Sequence, residues 1–204
     1  ALQWAIGLEL FLLSKDPWRM VFSTDHPNGG SFMSYPRLIR LLMDREFRKE
    51  EMRKINPRAL KQTALADGLD REYTLQEIAI VTRAGPARLL GLANKGHLGP
   101  GADADITIYD EHEDKERMFG APRHVIKDGQ MIIEDHEFKM EHEGRLLHVS
   151  PDYDPKIVEV IRPFFDDYYS IRFNNYAIDD SHLGPHEIIP TLKPRSAASK
   201  RSKG

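Results

Sequence analysis

The feature that most constrains this chain is WRMVFST at residues 18–24, which runs into Asp25 and breaks over His26, Pro27, Asn28, Gly29 and Gly30. A short run this apolar and β-branched reads as a buried strand. Helical periodicity resumes at residue 35 in YPRLIRLLMDREFRKEEMRKI, with Leu38, Leu41, Leu42 and Phe47 on its apolar side and Pro36 in the first turn. A strand, a polar loop and a helix in that order form a β/α unit, and the loop after the strand opens with a carboxylate.

What surrounds that unit is expected to be soluble and globular. The 204 residues are 40% hydrophobic and 30% charged, long enough for one or two packed domains. With 29 basic and 32 acidic residues the formal charge is −3, which gives no overall basic surface for nucleic acid and no strong acidic field. Cysteine is absent, so disulfides, zinc knuckles, iron–sulfur clusters and thiol nucleophiles are excluded from this chain. Any metal would be held by His, carboxylate or backbone oxygen. The longest apolar stretch, WAIGLELFLL at 4–13, is about half a membrane span and contains Glu9, so no membrane anchor is expected. The chain opens ALQWAIG, without Met or a signal-peptide gradient, and reads as cut from something longer. A cytoplasmic location is the default.

Further elements follow from punctuation. Residues 1–14 place apolar groups on nearly every helical face, which predicts a mostly buried helix ended by SKDPW. NPRALKQTALADG and TLQEIAIVTRAGPARLLGL predict a second pair of helices, the latter opened by Thr74 three residues before Glu77 in capping-box spacing. From Gly91 the texture becomes glycine-punctuated and β-like, and Asp128-Gly129 between apolar runs is a hairpin signal. DPKIVEVIRPFFDDYYSIRFNNYAI predicts a short helix and an aromatic-rich strand, and residues 191–204 carry five basic side chains and no acid, as a disordered tail does.

TDHPNGG, TLQEIAIVTRAGPARLLGL, KGHLGPGADADITIYD and VIKDGQMI together resemble the carboxyl-terminal third of amidohydrolase-superfamily enzymes. ALQWAIGLEL, DPWRMVFSTDHPNGG, YPRLIRLLM and FFDDYYSIRFNNYAI are similar to the A subunits of formylmethanofuran dehydrogenases and to their bacterial counterparts, the alpha subunits of formyltransferase/hydrolase complexes. The resemblance runs from Ala1 to Pro190. It implies an α/β fold, the final part of a metal-dependent (β/α)8 barrel followed by a small β module, incomplete in this chain. The implied organisation is barrel over 1–90, β module over 91–150, helix and strand extension over 151–190, and tail over 191–204. The resemblance also implies two metal ions, usually zinc, held by a His-x-His pair, a carboxylated lysine, two further histidines and one aspartate at the end of the eighth strand. Only that aspartate has a counterpart here, Asp25; the sequence contains no His-x-His, and the other ligands are expected upstream. The implied substrate is a formylated methanofuran-type carrier and the implied partners are other subunits of the complex. Hydrolysis would release formate and the free amine, and the reverse condensation would run where a partner supplies formate.

Residue chemistry leaves two readings of Asp25. As a carboxylate at the carboxyl end of a buried parallel strand, it would face the mouth of a barrel, bind one metal and accept the proton of an activated water. Alternatively it hydrogen-bonds the loop amides of 27–30, as Asp before Pro and Gly commonly does. His26 is a candidate for substrate contact or for supporting the metal site, against a plain surface role. Asn28, with Gly29 and Gly30, could let the backbone approach a bound formamide, or could only form a turn. Thr24 reads as a strand residue. His136 and His142 flank an acidic segment without tight ligand spacing and fit a solvated, charged hairpin; His182 and His186 lie in loop-like sequence. Phe164, Phe165, Tyr168, Tyr169, Phe173 and Tyr176 read as core or subunit contact, since no basic stripe interleaves with them to bind nucleic acid. Three functions stand open: the N-formyl hydrolase subunit, another cyclic amidase or deaminase of the superfamily, and a non-catalytic fragment or scaffold.

Overall fold

A computed structural model describes residues 2–67, 69–150, 152–176 and 179–189, in two compact units, Ala1–His142 and Glu143–Gly204. The basic stretch 191–204 lies outside the described residues.

The first unit opens with α1 (Leu2–Leu13). Ala5, Leu8 and Leu12, spaced to share one face, are buried, while Ile6, Leu10 and Leu13 are about half exposed. The helix is thus buried on one side only, because its second apolar side meets no packing element among the described residues. Its buried face packs with α2 (Tyr35–Met43), whose Leu38, Ile39, Leu41 and Leu42 form the centre of the core with Tyr73, Ile78 and Val81. The single helix expected from residue 35 onward breaks at Asp44, which leaves helical geometry at φ −125° and caps α3 (Arg45–Met52) by accepting the Phe47 N–H at 2.9 Å. A side chain that satisfies the first free amides of a new helix starts one there. Arg48 on α3 is buried, and its guanidinium donates to the carbonyl oxygens of Leu41, Leu69 and Arg71 at 2.7–3.0 Å. Burial lowers its pKa, against the pull of Glu72 and Asp70.

Asn56 caps the short α4 (Pro57–Leu60), and Thr74 and Glu77 form the expected capping box at the start of α5 (Leu75–Ala79). The helix that follows is not regular. Residues Ile80–Ala84 form a π turn, and α6 (Gly85–Leu89) continues it.

The sheet comprises β1 (Ile106–Tyr109), β2 (Pro122–Lys127), β3 (Gln130–Glu134) and β4 (Glu137–Phe138) in sequential antiparallel order, with α7 (Lys115–Gly120) between β1 and β2. Asp128-Gly129 turns β2 into β3, both residues at positive φ as a two-residue hairpin demands. Asp135 and His136 turn β3 into β4 in the same left-handed region without a glycine.

The expected strand over 18–24 is not formed. Pro17–Arg19 make a single 3₁₀ turn capped by Asp16, and the chain then runs extended, with Met20 at φ −121° and ψ 134°, but pairs with no strand among the described residues. Extended backbone becomes a strand only beside a neighbour that completes its ladder.

In the second unit, β5 (Leu146–Val149) and β6 (His186–Ile189) pair in parallel and α8 (Ile157–Tyr168) lies between them in sequence. The expected aromatic strand after α8 is replaced by a 3₁₀ turn at Phe173–Asn175. Phe165 holds Tyr169, Tyr176 and Phe173 around its ring at 4.6–5.6 Å, and the Asp166 carboxylate takes the Phe173 N–H at 2.7 Å, so the aromatics close on their own helix. His186, expected in a loop, sits in β6, and its ring lies 5.4 Å from His148 across the strand pair.

Candidate active site

The extended segment that leads to Asp25 is held by groups other than a strand. The Phe22 N–H donates to the Val81 carbonyl at 2.9 Å, and the Tyr35 hydroxyl donates to the Phe22 carbonyl at 3.3 Å. The Phe22 ring meets Tyr35 and Phe11 edge-on at 5.3 and 5.4 Å. Both backbone polar groups of Phe22 are therefore satisfied three residues before Asp25.

Asp25 stands in the left-handed region at φ +51°, which Asp and Asn tolerate better than most residues. Its N–H donates to Ser23 Oγ at 3.3 Å, and its main-chain carbonyl accepts the Gly29 N–H at 2.8 Å. The loop is thus closed through the backbone, and the carboxylate accepts no hydrogen bond among the described residues. A Cβ on Gly29 would lie 2.8 Å from the Thr24 carbonyl oxygen and 3.3 Å from Asp25 Oδ2, so glycine here permits a contact that a side chain would open. Ser23, Thr24, Asp25, Gly29 and Gly30 line a cavity of about 360 Å³ whose other walls are mainly apolar, including Leu8, Phe11, Phe22, Leu38 and Leu42.

His26 and Asn28 do not line that cavity. Both are exposed. The His26 ring stands edge-on to Phe32 at 4.7 Å and its Nδ1 accepts the Phe32 N–H at 3.4 Å, which leaves the proton of a neutral ring on Nε2.

A second polar cluster lies on the sheet. Ligand atoms of Asp103, Asp105 and Asp128 fall within 4.8 Å of one another. The cations this cluster needs are already there: Lys95 Nζ lies 2.7 Å from both Asp103 and Asp105, and Lys127 Nζ lies 2.8 Å from Asp105. Burial alone would raise the Asp105 pKa, but hydrogen bonds from Lys127, Lys95 and the Asp128 N–H hold it well below the usual carboxylate range. The same ion pairs raise Lys95 above its ordinary value against the opposing effect of burial. This is a salt-bridged brace between the loop before β1 and the β2–β3 turn. Of the acidic hairpin histidines, His136 Nε2 meets Asp110 at 3.1 Å and His142 Nε2 meets Asp128 at 3.6 Å, each on a separate carboxylate.

Residues 1–133, which contain the Asp25 cavity and most of the four-stranded sheet, match the model of the Amidohydrolase family. The chain belongs to the amidohydrolase family. It is 42% identical over 181 residues to the A subunit of the formyltransferase/hydrolase complex Fhc of Methylorubrum extorquens, covering 89% of this chain and 33% of that protein. It is 38% identical over 201 residues to protein FwdA of Methanocaldococcus jannaschii, covering 93% and 35%. A crystal structure of the formyltransferase/hydrolase complex from Methylorubrum extorquens, in complex with methylofuran, contains a chain similar in structure, with TM-score 0.74 and 41% identity over 92% of this chain and 35% of that one. The chain spans about a third of the length of the curated relatives it matches. Among the described residues, no helix is long and apolar enough to cross a membrane.

Sequence reasoning locates Asp25 and its loop but misses Tyr35, Val81 and the close approach of Gly29. One signal is present: a Gly-Pro pair at 85–86 inside an otherwise helical pattern marks an irregular turn.

Proposed function

We propose that this chain carries the last catalytic carboxylate of a metal-dependent N-formyl hydrolase acting on a methanofuran-type carrier, as part of a multi-subunit complex. In the reverse direction the same site would condense formate with the amine. The observation that carries this reading is the 42% identity, along 89% of the chain, to the A subunit of a formyltransferase/hydrolase complex. The free carboxylate of Asp25 beside an apolar cavity supports it chemically.

Asp25 fits a zinc centre as one hard oxygen donor of the three or four that such a centre requires. The other donors would come from the rest of the barrel. The metal would supply Lewis-acid activation of water and of the formyl oxygen. The work of this chain is then proton transfer at Asp25: its carboxylate accepts a proton as water attacks the formyl carbon and returns it to the leaving nitrogen. Asp25 is exposed here, so shielding of that exchange from bulk water would fall to the rest of the barrel. His26 and Asn28, outside the cavity, are assigned a supporting contact with the carrier beyond its formyl group.

The test is substrate range. The intact protein is expected to release formate from an N-formylfurfurylamine-type carrier and to leave cyclic ureides and aminopurines unchanged. Ring opening or ammonia release with no formate would replace this reading with that of another amidohydrolase.

A further inference from the structure

We infer that Pro86 is a positioning residue for Asp25, acting through the Val81 carbonyl; this rests on the assignment of Asp25 above. In an ordinary α-helix the Val81 carbonyl would accept the N–H of Gly85, four residues on. Here the Gly85 N–H goes instead to Ile80, five residues back. The next residue that could serve Val81 in the π register is Pro86, which has no N–H. The Val81 carbonyl is therefore left without a helical donor, although Val81 is fully buried. A buried carbonyl needs a partner, and the Phe22 N–H supplies it at 2.9 Å.

The local sequence enforces this arrangement from two sides. A Cβ at Gly85 would stand 2.8 Å from the Ile80 carbonyl oxygen, so the π turn tolerates only glycine there. The ring of Pro86 would clash with the carbonyl four residues back in a regular helix, so the widened turn is the conformation that accommodates it. Gly85 also lies against the extended segment, its would-be Cβ 3.6 Å from the Met20 carbonyl oxygen. The π turn thus does for Phe22 what a neighbouring strand does in a sheet. With the Tyr35 hydroxyl on the Phe22 carbonyl, it fixes the backbone from which Asp25 projects.

Pro86→Ala restores an amide and removes the ring, which lets the turn relax to α geometry and returns the Val81 carbonyl to its own helix. The experiment compares wild type and Pro86→Ala in the intact protein by amide hydrogen exchange at Phe22, by melting temperature and by steady-state formate release. Exchange at Phe22 is expected to quicken about five- to tenfold, as loss of one hydrogen bond implies. kcat should fall with KM nearly unchanged, while the melting temperature holds or rises because alanine is the better helix former. Tyr35→Phe, which frees the Phe22 carbonyl alone, should lower kcat in the same way without quickening exchange at Phe22. Unchanged exchange at Phe22 in Pro86→Ala would overturn the clamp. Faster exchange with unaltered kcat would overturn the positioning role, while the assignment of Asp25 would still be judged separately by its own substitution.

Discussion

A single methyl group on Gly29 should slow the site without unfolding the protein. In Gly29→Ala the added carbon would stand 2.8 Å from the Thr24 carbonyl oxygen, 3.0 Å from Asp25 Cβ and 3.3 Å from Asp25 Oδ2, where ordinary contact begins near 3.4 Å. The nearest of these is backbone and cannot swing aside, so the loop must retreat by about 0.6 Å. The Gly29 N–H closes that loop on the Asp25 carbonyl at 2.8 Å, so the retreat draws Asp25 with it. A 1 Å misplacement of a reacting group costs roughly 100-fold in rate, and a shift of about half that size predicts a fall on the order of tenfold in kcat. The stability cost of overpacking an exposed loop should stay near 1 kcal/mol, a few degrees of melting temperature. Formate release, bound metal and thermal melting of the intact protein are measured together. A Gly29→Ala protein with wild-type turnover would refute the close packing of this loop on Asp25 as a requirement of the site.

Two other substitutions probe the frame. Arg48→Met keeps an unbranched apolar stem but strips the Leu41, Leu69 and Arg71 carbonyls of their donor, and should lower unfolding free energy by about 3 kcal/mol in urea titration; a loss below about 1 kcal/mol would show those bonds to be dispensable. Asp105→Asn should lower the melting temperature at neutral pH. Because the folded-state pKa of Asp105 is depressed, its contribution is complete above the ordinary carboxylate value of about 3.9 and disappears as pH falls through the lower folded value. The gap between wild type and variant should therefore be constant from about pH 8 to pH 5 and narrow below about pH 4; a gap that widens toward acid would contradict the brace.

Local chemistry is legible wherever one residue type answers one backbone need. The capping box at Thr74 and Glu77, Pro36 in the first turn of α2 and the Asp128-Gly129 turn all stand where the sequence places them. The break at Asp44 is less legible because its neighbours continue a helical pattern, and only the side-chain bond to the Phe47 amide decides the matter. The Asp135-His136 turn carries no comparable signal because it lacks glycine. The stretch ending at Thr24 has the composition of a buried strand, but pairing is a property of neighbours, and its backbone bonds go to a helix carbonyl and a tyrosine hydroxyl instead. At the site, the sequence points to Asp25 but leaves its carboxylate either free or bound to the loop amides. The distinction rests on the Gly29 N–H choosing the main-chain carbonyl of Asp25, a choice set by the positive φ at that residue.

The most direct measurement is formate release from the formylated carrier by intact Asp25→Asn protein, alongside metal content and melting temperature. Asn nearly matches Asp in volume, suits the same left-handed backbone and can offer one oxygen to a metal, but it accepts no proton at neutral pH. Turnover should fall on the order of 100- to 10,000-fold with stability close to wild type. Asp25→Asn protein that keeps its metal and most of its turnover would contradict the assignment and leave Asp25 as a residue of the turn.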